Sequence, residues 1–201
     1  MPRPSAVVFD LGKVLLDFDY EKVAVNLLQY CKISREELTA ALNQSALLHQ
    51  YETGLLTTAA FFSEVKRVSQ FCGELEVFEA IFADIFTPIP EMIDLHARLR
   101  SSAVPTYIFS NTNEIAVKHI RATYPFFRTF SGYIYSYEHR SMKPAPAIYS
   151  AVEELTGKQG ADLLYIDDRA ENIEQGIARG WQVIHHSSPL ETIPEVEKLL
   201  L

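Results

Sequence analysis

Apolar residues gather in short unbroken runs along this chain, separated mostly by stretches of helical spacing. The first run covers residues 5–10 and ends in Asp10; others follow at 104–109, 132–135, 162–166 and 181–185. A run of that length without polar alternation predicts a strand buried on both faces. Between the runs, Pro90-Glu91 opens a helix to about Arg100, and Asn113 caps one over 114–122. A helix from Pro144 to Thr156 ends at Gly157, and one from Ala170 to Arg179 ends at Gly180. Strands alternating with helices predict an α/β fold, a parallel sheet with helices on both faces.

Residues 18–88 break that rhythm and show no convincing strand. Ser34-Arg35-Glu36-Glu37 is a capping box, followed by Leu38, Ala41 and Leu42 on one helical face. Two more helices are predicted at Thr58 to Phe71 and at Glu74 to Phe86. The stretch reads as an all-helical insert after the first strand. The expected division is therefore a core of residues 1–17 and 89–201 and a cap of residues 18–88.

Composition adds mainly exclusions. With 48% hydrophobic and 22% charged residues, a chain of 201 residues has enough apolar material for a sizeable core. A formal net charge of -8 and the lack of a basic run argue against nucleic acid as a partner. No apolar run approaches the ~20 residues of a membrane span. The start, Met-Pro-Arg-Pro-Ser, is unlike a secretory leader, so a cytoplasmic location is expected. Cys31 and Cys72 form no close-spaced motif and read as idle thiols, although a disulfide between them stays open.

Ligands of an open parallel sheet bind beyond the carboxyl ends of its strands. The residues found there are Asp10, then Ser110-Asn111-Thr112, then Asp167-Asp168, with Lys143-Pro144 opening a helix between them. Each piece alone has an ordinary reading as a turn, a cap or a solvated surface residue. Together, three converging carboxylates repel one another unless a cation joins them. A hard divalent ion such as magnesium (Mg2+) meets that need. It would draw in a phosphate ester, Lys143 would neutralise further charge, Ser110 would hydrogen-bond a phosphate oxygen, and Asp10 would attack phosphorus.

The segments Val7-Val8-Phe9-Asp10-Leu11-Gly12, Ile108-Phe109-Ser110-Asn111-Thr112, Met142-Lys143-Pro144 and Ile166-Asp167-Asp168-Arg169-Ala170-Glu171-Asn172 stand in this order across nearly the whole chain. In this the sequence resembles the haloacid-dehalogenase superfamily. The resemblance implies a Rossmann-like core with a helical cap and a magnesium-dependent phosphatase acting on a small-molecule phosphate ester. It implies Asp10 as nucleophile, with Asp10, Asp167 and the Gly12 carbonyl on the metal. It also implies Ser110 and the Asn111 amide on the phosphate and Lys143 stabilising phosphorylated Asp10. Asp168 is expected to orient Lys143 or a metal-bound water, and Asn172 to support the acidic loop.

Gly12 departs from the superfamily pattern, in which most phosphatases carry a second Asp there as acid and base. Val14 departs too, where Thr often stands. An Asp-x-Gly pattern, with Leu48-His49-Gln50-Tyr51-Glu52-Thr53-Gly54, is similar to bacterial phosphatases that hydrolyse sugar phosphates, notably alpha-D-glucose 1-phosphate. His49 and Glu52 read either as a polar helix terminus or as substrate-binding residues facing the core. Asp17 and Asp19 read as helix caps and hinge residues, and His185-His186 as surface or packing residues. Tyr124-Pro125-Phe126-Phe127 reads as core or as the surface of a homodimer. Two other readings compete: a metal-independent haloacid dehalogenase, and a catalytically weak phosphometabolite-binding protein favoured by Gly12.

Overall fold

The computed structural model describes residues 2–42 and 45–201, without the side chains of Ala41 and Leu42. Five parallel strands form the central sheet: β1 (Ala6–Phe9), β4 (Thr106–Ser110), β5 (Gly132–Tyr135), β6 (Leu163–Asp167) and β7 (Gln182–His185). Their order is β5-β4-β1-β6-β7, with β1 in the centre, pairing Phe9 with Ile108 on one side and Ile166 on the other. All four β1 residues are fully buried, which explains the unbroken apolar run.

Side chains alternate across the pleat and so feed two cores. Val7, Phe9, Ile108 and Ile166 pack beneath α6 (Pro90–Ser101), α7 (Glu114–Thr123) and α11 (Pro189–Leu200). Ala6, Val8, Phe109 and Tyr165 pack on the opposite face beneath α9 (Pro146–Thr156) and α10 (Ala170–Ala178). Asn113 caps α7 by accepting from the Ala116 N–H, and Gly157 ends α9 with a φ of 64°. The short α8 (Ser136–His139) and the final α11 carry no signal used in the sequence reading.

Between β2 (Leu16–Phe18) and β3 (Phe86–Pro88) lie α1 (Tyr20–Leu27), α2 (Arg35–Leu42), α3 (Ala46–Glu52), α4 (Thr58–Ser69) and α5 (Leu75–Ala83). These helices share a separate aromatic core in which Phe61 stacks on Tyr51 at 4.3 Å and touches Phe78 and Phe82. The Ser34–Glu37 capping box forms, with reciprocal bonds of 2.9 and 3.2 Å. Leu38 is buried; Ala41 and Leu42, expected on the same face, lie outside the described side chains.

One expectation is corrected. Residues 18–88 are not free of strand: β2 and β3 pair antiparallel, Phe18 opposite Phe86, where the chain leaves and re-enters the sheet layer. That pairing stops α5 at Ala83, short of the predicted Phe86. Asp19 caps α1 as expected, whereas Asp17 sits in β2, accepts from its neighbour Phe18 N–H and pairs with Lys13. Among the described residues no helix is long and apolar enough to cross a membrane.

Candidate active site

The loops beyond β1, β4 and β6 meet the α1 and α3 ends over a cavity of about 400 Å³. Asp10, Gly12, Ser110, Asn111, Lys143, Asp168 and Asn172 line its floor, and Phe18, Tyr20, His49, Glu52 and Phe86 its roof. Every candidate from the sequence except Asp167 therefore faces this space.

Asp10 follows the buried β1, and its carboxylate accepts from the Leu11 N–H at 2.7 Å. Lys143 lies beneath it, almost fully buried, with Nζ 2.9 Å from Asp10, 2.6 Å from Asp167 and 2.9 Å from the Phe109 carbonyl. Asn111 anchors this lysine from the backbone: its side-chain amide donates to the Lys143 carbonyl at 2.9 Å and accepts from the Lys143 N–H at 2.8 Å. The Asn111 side chain is thus committed to Lys143, leaving its backbone amide for a ligand.

The structure redistributes the two adjacent acids. Asp168 was expected to orient Lys143 or a metal-bound water; the Lys143 ammonium bonds Asp167, which leaves the second of these for Asp168. Asp167 is fully buried and also accepts from the Tyr165 hydroxyl, the Arg169 N–H at 2.9 Å and Asn172 Nδ2 at 2.9 Å. Four donors occupy the lone-pair positions of one carboxylate. Burial alone pushes the Asp167 carboxyl up, but Lys143, Tyr165 and the Arg169 N–H outweigh it and hold it below its ordinary value. Asp168, by contrast, lines the cavity, and no other residue donates to its carboxylate among the described residues. Burial, then the charge of Asp167, pushes it up. His185 Nε2 donates to the Asp168 carbonyl at 2.9 Å, so this exposed histidine steadies the acidic loop.

The carboxylates of Asp10, Asp167 and Asp168 each offer an oxygen within 4.8 Å of the others. One ammonium cannot neutralise all three. Burial pushes Asp10 up to about 8, with Asp167 and Asp168 adding to the rise and Lys143 opposing it. Lys143 itself is pulled down by burial and more than restored by Asp10 and Asp167, so it stays charged. A cation between Asp10 and Asp168 would relieve this excess of negative charge.

Two uncoordinated oxygens agree with that. No described donor bonds the Gly12 carbonyl. Asn172 Oδ1 is buried without a partner, and turning the amide over would set its oxygen against the Asp167 carboxylate. An acceptor left open at this place suits a water held by a metal. The donor set, all oxygen, fits magnesium.

At position 12 a Cβ would come within 2.8 Å of the Phe18 ring, so Phe18 fills the space where a side chain would project. Sequence reasoning missed Tyr165, Tyr20, Ser136 and the aromatic roof. Only Tyr165 carried a usable signal, since two residues apart on one strand places it on the same face as Asp167.

A family model described as haloacid dehalogenase-like hydrolase matches residues 4–179. The chain belongs to that family. A HAD-family enzyme from Bacteroides thetaiotaomicron, solved with magnesium and inorganic phosphate, is 25% identical, with 90% of this chain and 93% of that chain covered and a TM-score of 0.80. A HAD-like family hydrolase from Porphyromonas gingivalis is 21% identical over 98% of both chains, with a TM-score of 0.82. L-2-haloacid dehalogenase from Xanthobacter autotrophicus is 21% identical over 90% of this chain and 76% of that one, with a TM-score of 0.65. The last two share the fold. This HAD-like hydrolase thus has the family's α/β core, a five-stranded parallel sheet flanked by helices.

Proposed function

We propose that this HAD-like hydrolase is a magnesium-dependent phosphatase that cleaves a small phosphorylated metabolite, a sugar phosphate, through an aspartyl-phosphate on Asp10. The carrying observation is the cluster of Asp10, Asp167 and Asp168, with oxygens within 4.8 Å and a single ammonium among them. Its surplus negative charge calls for a cation, which a dehalogenase acting on carbon would not need. The Bacteroides relative solved with magnesium and phosphate supports the same choice.

Asp10, Asp168 and the Gly12 carbonyl would hold the magnesium. When bound, that ion supplies Lewis-acid neutralisation of the phosphate oxygens. The Asp10 carboxylate attacks phosphorus in line, and the bond to the leaving oxygen breaks. Lys143, fixed by Asp167 and the Phe109 carbonyl, keeps positive charge beside the reacting carboxylate. Ser110 Oγ and the Asn111 N–H, at the end of β4, bind the phosphate oxygens. Water then cleaves the acyl phosphate and restores Asp10. Asp167 is the positioning residue, not the ligand.

The roof supports a sugar as the alcohol part. Phe18, Tyr20 and Phe86 meet edge to face, offering apolar surface to ring carbons, while His49 and Glu52 offer polar atoms to hydroxyls. An anomeric phosphate has a good leaving group, which suits a chain with Gly12 in place of an acid. The reading is tested by measuring phosphate release from a panel of sugar phosphates. Release should require Mg2+ and fall at least about 10³-fold in Asp10→Asn, as loss of a nucleophile does. Halide release without metal, or activity kept in Asp10→Asn, would overturn it.

A further inference from the structure

Gly12 leaves the departing oxygen without a proton donor on the β1 loop, and Phe18 blocks that direction. The ionisable groups lining the cavity are Asp10, Lys13, Tyr20, His49, Glu52, Lys143, Asp168 and Arg169. Asp10 and Lys143 are committed to the nucleophile, Asp168 to the cation. Lys13 pairs with Asp17, and Arg169 with Glu171. Burial pushes the Tyr20 hydroxyl well above its ordinary value, too far to give up a proton readily. His49 is exposed, and among the described residues its ring has no hydrogen bond.

Glu52 differs from all of these. It is half-buried in the roof, and Tyr20 donates to its Oε1 at 3.4 Å. Its main chain is clamped to the floor: Ser136 Oγ donates to the Glu52 carbonyl at 2.6 Å and accepts from the Thr112 N–H at 2.9 Å, two residues past Ser110. Gly54, two residues on, lies so close to α8 that a Cβ would meet the Tyr137 carbonyl at 2.0 Å. The roof thus holds Glu52 in a fixed place over the phosphate loop. Burial pushes its carboxyl up to about 7, with Tyr20 and Asn113 pulling partly back, so it carries an available proton near neutral pH.

Resting on the phosphatase reading, we infer that Glu52 is the general acid and base that replaces the side chain missing at Gly12. As Asp10 bonds to phosphorus, the P–O bond to the leaving group breaks, its electron pair stays on the leaving oxygen, and the Glu52 proton moves there. In the second step the Glu52 carboxylate takes a proton from water as its oxygen attacks phosphorus. The acyl-phosphate bond breaks with its pair returning to Asp10.

Phenyl and 4-nitrophenyl phosphate separate this role from a structural one, because they are near in shape and differ in leaving-group basicity. Glu52→Gln should lower kcat/KM for phenyl phosphate about 10²-fold and for 4-nitrophenyl phosphate within about 3-fold. Added formate should restore phenyl phosphate turnover to Glu52→Ala. If Glu52→Gln does not fold, Glu52→Asp is read the same way, with a smaller loss confined to phenyl phosphate. Equal losses on both esters, absence of formate rescue, or a selective loss in His49→Asn instead, would overturn the assignment while leaving the phosphatase intact. If the wild-type chain cleaves no phosphate ester with Mg2+, both fall together.

Discussion

Asp167 and Asp168 are neighbours in the chain, yet one is surrounded by donors and the other faces open space. Asp167 closes β6 on the side of Tyr165 and Lys143, whose ammonium also lies 5.0 Å over the Phe109 ring and 5.8 Å over that of Tyr165. Removing its charge leaves a buried ammonium short of a partner, a change that typically costs about 3–5 kcal/mol. Asp167→Asn should therefore lower the urea midpoint markedly, whereas Asp168→Asn should leave the unfolding free energy within about 1 kcal/mol of the parent's. Asp168→Asn should instead raise the Mg2+ concentration for half-maximal activity by about 10–100-fold, the cost typical of weakening a metal site. The reverse pattern would return the ligand role to Asp167. At this scale, acids at strand ends were legible because topology gathers strand ends. Which acid faces the ligand was not, since it depends on hydroxyls and amides arriving from Tyr165 and Asn172. Tyr20 and Ser136 carry no mark of a role in the sequence, because their polar atoms find Glu52 and Thr112 only after folding.

The elements were legible in proportion to how much each buries by itself. β1, β4 and β6 lie inside the sheet and show as apolar runs, and α7 and α9 carry their own cap and stop signals. β2 and β3 have three residues each, too few for any period to show, and exist because each pairs with the other. The turn after α3 is of the same kind. Gly54 stands at φ +72°, with no room for a Cβ against the Tyr137 carbonyl, and nothing local in Tyr51-Glu52-Thr53-Gly54 says so. The same turn is tied down by Thr53 Oγ1 to the His49 carbonyl and by Tyr51 Oη, which accepts from the Ile115 N–H at 3.3 Å. Gly54→Ala must therefore displace the turn from α8. It should destabilise the chain by about 2–4 kcal/mol, in the range of backbone strain combined with a buried clash. It should also reduce kcat through misplaced Glu52, in a melt and an assay on the same sample. An unchanged melt would mean that the turn does not dock on α8 in solution.

For the whole molecule, the buried acids make stability a function of both pH and magnesium. Asp10 is pushed up to about 8 and Glu52 to about 7, against ordinary values of 3.8 and 4.5. The folded, metal-free chain then holds protons on these groups that the unfolded chain has released. Their contribution is fully present below the unfolded values and is lost as pH rises towards 7–8, at up to about 1.4 kcal/mol per pH unit for each proton. Asp167 acts oppositely: held below its ordinary value, it adds stability that is present above about 4 and lost on acidification. In EDTA the melting temperature should therefore fall between pH 6 and pH 8. Magnesium needs the ionised Asp10, so the proton competes with it and the cation binds more tightly as pH rises. Stabilisation by a ligand of the folded state grows with its concentration over Kd. The gap between melts in Mg2+ and in EDTA should accordingly widen from pH 6 to pH 8, and Asp168→Asn should flatten it. A gap independent of pH would mean that the cation does not meet Asp10, and the nucleophile and the metal would then have to be sought in different places.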